Sequence, residues 1–242
     1  VPLPVGEPFW MGMGCRRSVH VYIPDVRIYE VCHNVLMRAD VDNHPPQVAY
    51  LPVPYHAPFD TLTGHVEICC VLERQPDDDN KSDTFGDGEM QMLRFERTER
   101  HVAVKVCLQH RMDDLLAQGH HENALREIAL MQHIGTDVPH VVTCIDVLRV
   151  VHDDSYNIVM PHFGGGDLFD RIFSPEQGRR FTEDEARPVF REIIQGLRGL
   201  HHDKGVCHHD LSVENIMLDA DGHAFLIDYG MALRVPYTIT TD

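Results

Sequence analysis

No stretch of this 242-residue chain approaches the roughly 18 consecutive apolar positions of a membrane span. The N-terminus has no charged segment followed by an apolar one, so no secretory signal is expected. None of the seven cysteines, at positions 15, 32, 69, 70, 107, 144 and 207, stands in the C-x-x-C spacing of a zinc or thioredoxin-type site, and their number is odd. Buried free thiols in a reducing compartment are the simplest reading, and a soluble, cytoplasmic protein is expected. Basic residues are scarce: 21 against 38 acidic ones give a formal charge of −17, a field that repels a phosphate backbone. Nucleic acid is therefore not an expected partner, nor is a membrane, whereas a basic protein or peptide suits such a surface. Eighteen histidines raise the alternative of a metal-binding protein. The pairs 120/121, 201/202 and 208/209 make poor chelates, because adjacent residues on a helix point about 100° apart, and no H-x-x-x-H supports them.

Apolar residues make up 43% of the chain, enough for a globular core. Nine of the fifteen prolines fall in residues 1–64, in pieces such as Pro45-Pro46 and Pro52-Val53-Pro54. Proline at that density breaks helices and central strands, so a poorly structured extension is expected there, with one strand-like piece at 18–23. His65 to Leu72 reads as a strand, followed by the solvated acidic loop Asp77 to Asp83. His101 to Val106 reads as another strand, with Lys105 alone among apolar neighbours; a lysine there must snorkel out or meet an anion. Leu125, Ile128 and Met131 repeat at helical spacing around Glu127. Strands are expected over 138–151 and 156–160. Thr182 and Glu185 form a capping box before a helix to His201, whose apolar face would comprise Val189, Phe190, Ile193, Ile194, Leu197 and Leu200.

Residues 208–230 read HHDLSVENIMLDADGHAFLIDYG. Ile216 to Leu218 and Ala224 to Ile227 are short apolar runs around the turn Asp219-Ala220-Asp221-Gly222, a hairpin that brings Asn215 and Asp228 to one end. An acid, a carboxamide five positions on and a second acid after an apolar strand form a set suited to phosphoryl transfer, which depends on positioning and on charge neutralisation by Mg²⁺. Asp210 would accept or orient the proton of an acceptor hydroxyl, and Asn215 and Asp228 would offer oxygen to Mg²⁺. By residue type alone, the same Asp and Asn residues also suit a hairpin that merely turns.

This segment resembles the eukaryotic protein kinase family, matching H-R-D-L-x-x-x-N at all but the Arg, with Asp228-Tyr229-Gly230 where that family has D-F-G. The resemblance covers roughly residues 84–236 and implies an α+β, two-lobe fold, with a β-rich upper lobe at 65–160 and a helical lower lobe from 161 onward that is only partly present. It implies ATP and Mg²⁺ as cofactors, a protein serine or threonine hydroxyl as acceptor, and catalytic roles for Lys105, Glu127, Asp210 and Asn215. Lys105 would meet the α- and β-phosphates and pair with Glu127; Asn215 and Asp228 would hold the metal. Gly86, Gly88 and Leu93 would form the loop over the phosphates, with Gln91 in place of its third glycine. Ala103, Met160, Pro161, Phe163, Asp167 and Met217 fill the remaining nucleotide positions. Met160 would stand behind the adenine, the carbonyl of Pro161 and the N–H of Phe163 would meet its edge, and Asp167 would reach the ribose.

Three further substitutions depart from the family pattern. His209 replaces the Arg that holds a phosphorylated activation segment, Ser212 replaces a Lys that meets the γ-phosphate, and Tyr229 replaces Phe and would stack with Met131, Cys144 and His208. The chain opens on Val1 and ends twelve residues after Gly230, so a fragment or truncated product is expected. A pseudokinase that binds nucleotide or a partner without transfer is the alternative that the degenerate glycine loop and His209 support.

Overall fold

A computed structural model describes residues 8–13, 19–22, 36–37, 48–53, 56–74, 91–120, 124–150, 154–173 and 180–235. Two compact units divide the chain, one of Val1–Asp60 with Val66–Val104 and one of Thr61–His65 with Lys105–Asp242. Two of the divisions fall inside long strands, whereas the boundaries expected were 64, from proline content, and 160, from the family resemblance.

In the first unit every described element is a strand. They are β1 (Pro8–Met13), β2 (Val19–Tyr22), β3 (Leu36–Met37), β4 (Val48–Pro52), β5 (Phe59–Asp60) and the main parts of β6 (Gly64–Arg74) and β7 (Gln91–Leu108). The sheet order is β2-β1-β7-β6-β4-β3. Strand β6 is buried from Ile68 to Leu72 without alternation, so both of its faces are covered, as its continuous apolar sequence requires. Thr98 Oγ1 donates to the carbonyl of Val71 at 2.8 Å, and Arg100 pairs with Glu73.

For the described residues of 1–64, the expectation of a poorly structured segment is corrected. Strand β4 lies antiparallel to β6 with Ala49 opposite Leu72, and Ala49, Tyr50 and Leu51 are buried. The prolines did not prevent this because Pro52 falls at the end of the strand, where the missing N–H costs little. The expected strand at 18–23 is present as β2, paired with β1.

The second unit holds all the described α-helices: α1 (Gln109–Ala117), α2 (Ala124–Ile134), α3 (Leu168–Phe173) and α4 (Glu183–Arg198). With them are β8 (Asp146–Val150) and β9 (Ser155–Pro161), an antiparallel pair, and the short pairs β10 (Val206–Cys207) with β13 (Leu233–Arg234) and β11 (Ile216–Leu218) with β12 (Ala224–Leu226). One core joins Met131, Ile134, Val138, Ile158, Leu200, Val206, Leu226 and Tyr229. Among the described residues, no helix is long and apolar enough to cross a membrane.

Helix α4 begins as its sequence dictates. The Thr182 side chain accepts from the Glu185 N–H, and Glu185 returns a bond to the Thr182 N–H at 2.9 Å. Only part of its expected apolar face is covered: Ile193 and Leu200 are buried, whereas Phe190 and Ile194 are 64% and 47% exposed. Past Arg198 the helix widens into a π turn (Gly199–Asp203). A Cβ on Gly199 would lie 2.4 Å from Val138 Cγ1, so only glycine admits this approach. Similarly, Leu125 of α2 faces solvent while Ala124 takes a buried place beside Ile128 and Met131.

The strand expected over 138–151 is shorter than its apolar content suggested. Residues 138–145 run as a loop through Pro139 and the left-handed His140 (φ 59°), and strand geometry returns only at Asp146. Extended backbone in that loop pairs with β12 instead: the Val142 N–H donates to Leu226 at 2.9 Å, and the Leu226 N–H to His140 at 2.9 Å. The hairpin that is not local thus took the residues that a local pattern assigned to one long strand.

Candidate active site

All five residues expected to carry the chemistry lie in the second unit. Lys105 Nζ stands 2.9 Å and 3.1 Å from the two carboxylate oxygens of Glu127, and 3.6 Å from Asp228 Oδ1. Lys105 and Glu127 are buried, at 5% and 1% exposure, so this is a desolvated ion pair rather than a surface one. Burial alone would lower the lysine's pKa; the Glu127 and Asp228 carboxylates outweigh it and hold Lys105 above its ordinary range.

The catalytic-loop residues are built from the β11–β12 hairpin. A short 3₁₀ turn (Val213–Asn215) delivers Asn215 into β11, and the Ile227 N–H donates to the Asn215 carbonyl at 3.1 Å. This brings Asn215 and Asp228 to one end of the hairpin, as the turn chemistry at Asp219 predicted. Asn215 Nδ2 donates to both the carbonyl (2.9 Å) and Oδ2 (3.0 Å) of Asp210, fixing the orientation of that carboxylate. With both donor hydrogens turned to Asp210, the carboxamide oxygen of Asn215 is the atom left to accept. The Asp228 carboxylate, at the same end of the hairpin, is 38% exposed. Those residues fit Mg²⁺, which binds oxygen and keeps several waters of its own.

His208 is buried and braces the loop. Its Nε2–H donates to the carbonyl of Ile227 at 2.8 Å, and Nδ1 accepts from the Asp210 N–H at 3.4 Å, an arrangement that assigns a neutral ring. Burial accordingly pushes its pKa down, against the opposing pull of the Ile227 carbonyl and the Asp228 and Asp210 carboxylates. The ring tilts against Tyr229 at 5.4 Å, as the expected stack requires, and Tyr229 O–H donates to the Leu226 carbonyl at 2.9 Å. The backbone of His209 (φ 64°), in this loop, and of Asp228 (φ 62°), after β12, lies in the left-handed region. Such strain, on the order of 1–3 kcal/mol each, persists only where surrounding contacts enforce it.

The segment expected to face the nucleotide base is clipped to β11. The Gly165 N–H donates to Leu218 at 3.0 Å, and the Leu218 N–H to Gly166 at 2.8 Å. A Cβ on Gly165 would meet the Asp219 carbonyl oxygen at 2.4 Å, which explains a glycine there. Asp167 and Met217 face each other across an isolated bridge, which brings two of the expected nucleotide residues together. Asp167 Oδ1 accepts from the Asp170 N–H at 2.7 Å, so one oxygen of the residue expected at the ribose caps α3. Phe163 packs on Phe225 at 4.8 Å, and Met160 and Pro161 end strand β9. Ala103 and Leu93 lie on β7 in the first unit, and Gly86 and Gly88 fall outside the described residues. One contact had no signal in the sequence: Arg126 Nη2 donates to the carbonyl of Gly230 at 2.9 Å. A charged residue on a helix reads as a solvated face until its partner, 104 positions away, is known.

Residues 83–241 match the family described as Protein kinase domain. The chain is 33% identical over 152 residues to CBL-interacting serine/threonine-protein kinase 1 of Arabidopsis thaliana, covering 62% of this chain and 32% of that protein. It is 37% identical over 134 residues to serine/threonine-protein kinase SAPK4 of Oryza sativa subsp. japonica, covering 54% and 32%. Against maternal embryonic leucine zipper kinase of Xenopus tropicalis the identity is 34% over 116 residues, covering 43% and 17%. The chain thus spans a third or less of the length of these curated relatives.

Proposed function

Because the chain belongs to the protein kinase family, we propose that it carries the site for Mg²⁺- and ATP-dependent phosphoryl transfer to a serine or threonine hydroxyl of a protein substrate. The observation that supports this most is the chain of contacts Glu127–Lys105–Asp228, at 2.9 Å and 3.6 Å, in the same unit as the Asp210–Asn215 pair at 3.0 Å. A buried lysine held protonated by two carboxylates is an anion-binding charge that cannot be lost near neutral pH. Lys105 would neutralise the α- and β-phosphates. Asp210, oriented by Asn215, would accept the proton of the incoming hydroxyl. Asn215 and Asp228 would hold Mg²⁺, which supplies charge neutralisation on the transferring group. A net charge of −17 favours a basic peptide as the acceptor.

The test is phosphate transfer from ATP to a serine-containing, arginine-rich peptide. Replacing the positioned base, Asp210→Asn, is expected to lower turnover about 10²- to 10⁴-fold while nucleotide binding persists. Gln91 in place of a glycine and His209 in place of an arginine favour a second reading, a module that binds nucleotide without transfer. A parent chain that binds Mg²⁺ and ATP but transfers nothing, with Asp210→Asn indistinguishable from it, would establish that second reading.

A further inference from the structure

We propose that Arg126 is a positioning residue for the metal-side carboxylate Asp228, acting through the backbone of Gly230. The inference rests on the phosphoryl-transfer reading above. Arg126 and Glu127 are successive on α2 and therefore point about 100° apart, reaching two different targets from one turn. Glu127 turns to Lys105, whose Nζ lies 3.6 Å from Asp228 Oδ1. Arg126 turns to the carbonyl of Gly230 at 2.9 Å, and the Gly230 N–H donates to Asp228 Oδ1 at 3.1 Å. Both side chains of α2 thus end on the same carboxylate oxygen, one through an ammonium and one through a glycine.

The glycine is the weak point of this arrangement, and the arginine corrects it. Gly230 has the widest backbone freedom of any residue type, yet its N–H must aim at a carboxylate whose own backbone is held in the left-handed region (φ 62°). Arg126 grips the carbonyl of that glycine in a partly buried setting, where a charge-assisted hydrogen bond is stronger than one in water.

The experiment uses the full 242-residue chain and reads the Mg²⁺ concentration that gives half of the ATP-induced rise in melting temperature. Arg126→Met is expected to raise that midpoint about threefold to tenfold, the effect of one lost hydrogen bond on the metal-bound state, beyond any fall in the ligand-free melt. Arg126→Lys, which keeps a cationic donor for the carbonyl, is expected to fall between the two. An Arg126→Met midpoint equal to that of the parent overturns the proposal, as does a loss confined to the ligand-free melt. Should Arg126→Met lose its cooperative transition, Arg126→Lys decides alone, and a midpoint equal to the parent's overturns the proposal. A parent chain with no Mg²⁺-dependent response fails the functional reading itself, and this inference falls with it; a parent that responds beside an unchanged Arg126→Met fails the inference only.

Discussion

A lysine and a glutamate buried to 5% and 1% exposure make a pair whose halves cannot be removed separately without cost. Breaking one side of such a pair costs about 3–5 kcal/mol, because the other charge stays desolvated. Asp228 at 3.6 Å still offers Lys105 an anion, so Glu127→Gln is expected near the lower end, about 3 kcal/mol in urea unfolding. Lys105→Met combined with Glu127→Leu should recover most of that stability while removing the charge on which the proposed transfer depends. The two histidines with shifted pKa values predict opposite pH responses from the ordinary value of 6.5. His208 is held below it, chiefly by burial, so the unfolded chain binds its proton first and stability falls as the pH drops below about 6.5. His223 is held above it by the hydrogen bond to Glu192, so its contribution is present below about 6.5 and is lost as the pH rises through the folded value. In melts taken from pH 7.5 to 5, His208→Asn should flatten the acid-side loss of stability, and His223→Gln should steepen it.

Helix α4 shows how a single element divides between local and distant causes. Its start is a closed circuit of Thr182 and Glu185 with an acidic first turn, and Thr182→Ala is expected to cost about 1 kcal/mol in thermal or urea unfolding. An Asp at that position should retain most of the cap, which separates lost hydrogen bonding from lost packing. The burial of its apolar face depends on neighbours, and periodicity marked Phe190 and Ile194 as apolar without being able to say that they face outward. The same holds for β4, which proline content disfavoured and which exists because β6 pairs with it over five positions. At this scale the capping box and the β11–β12 hairpin were legible because their interactions lie within a few residues. The run 138–145 was not, because its partner strand begins more than 70 positions later.

For the whole molecule, the decisive quantity is whether nucleotide and metal stabilise the chain together. Ligand at 100 times its dissociation constant adds about 2.7 kcal/mol, which at this size raises the melting temperature by several degrees. A rise with Mg²⁺ and ATP that disappears in EDTA is the expected result; a rise equal in EDTA would remove Asn215 and Asp228 from the metal role. The relatives it resembles are longer, and their identity to this chain is 33–37%. What the molecule offers on its own account is a second unit that contains Lys105, Glu127, Asp210, Asn215 and Asp228 together.

The sequence by itself determined which residue types stand at the site and in what order: Asp210, Asn215 and Asp228 spaced by a hairpin, Lys105 in an apolar strand, and Glu127 on a helical repeat. Those features follow from turn, cap and strand chemistry acting over a few residues, so they can be read along the chain. Only the tertiary structure decided how deeply the expected Lys105–Glu127 pair is buried, that His208 reaches the Ile227 carbonyl, and that Arg126 reaches Gly230. Each of these joins residues far apart in sequence, and each depends on which groups lose water when the core closes, a choice made by packing rather than by local pattern.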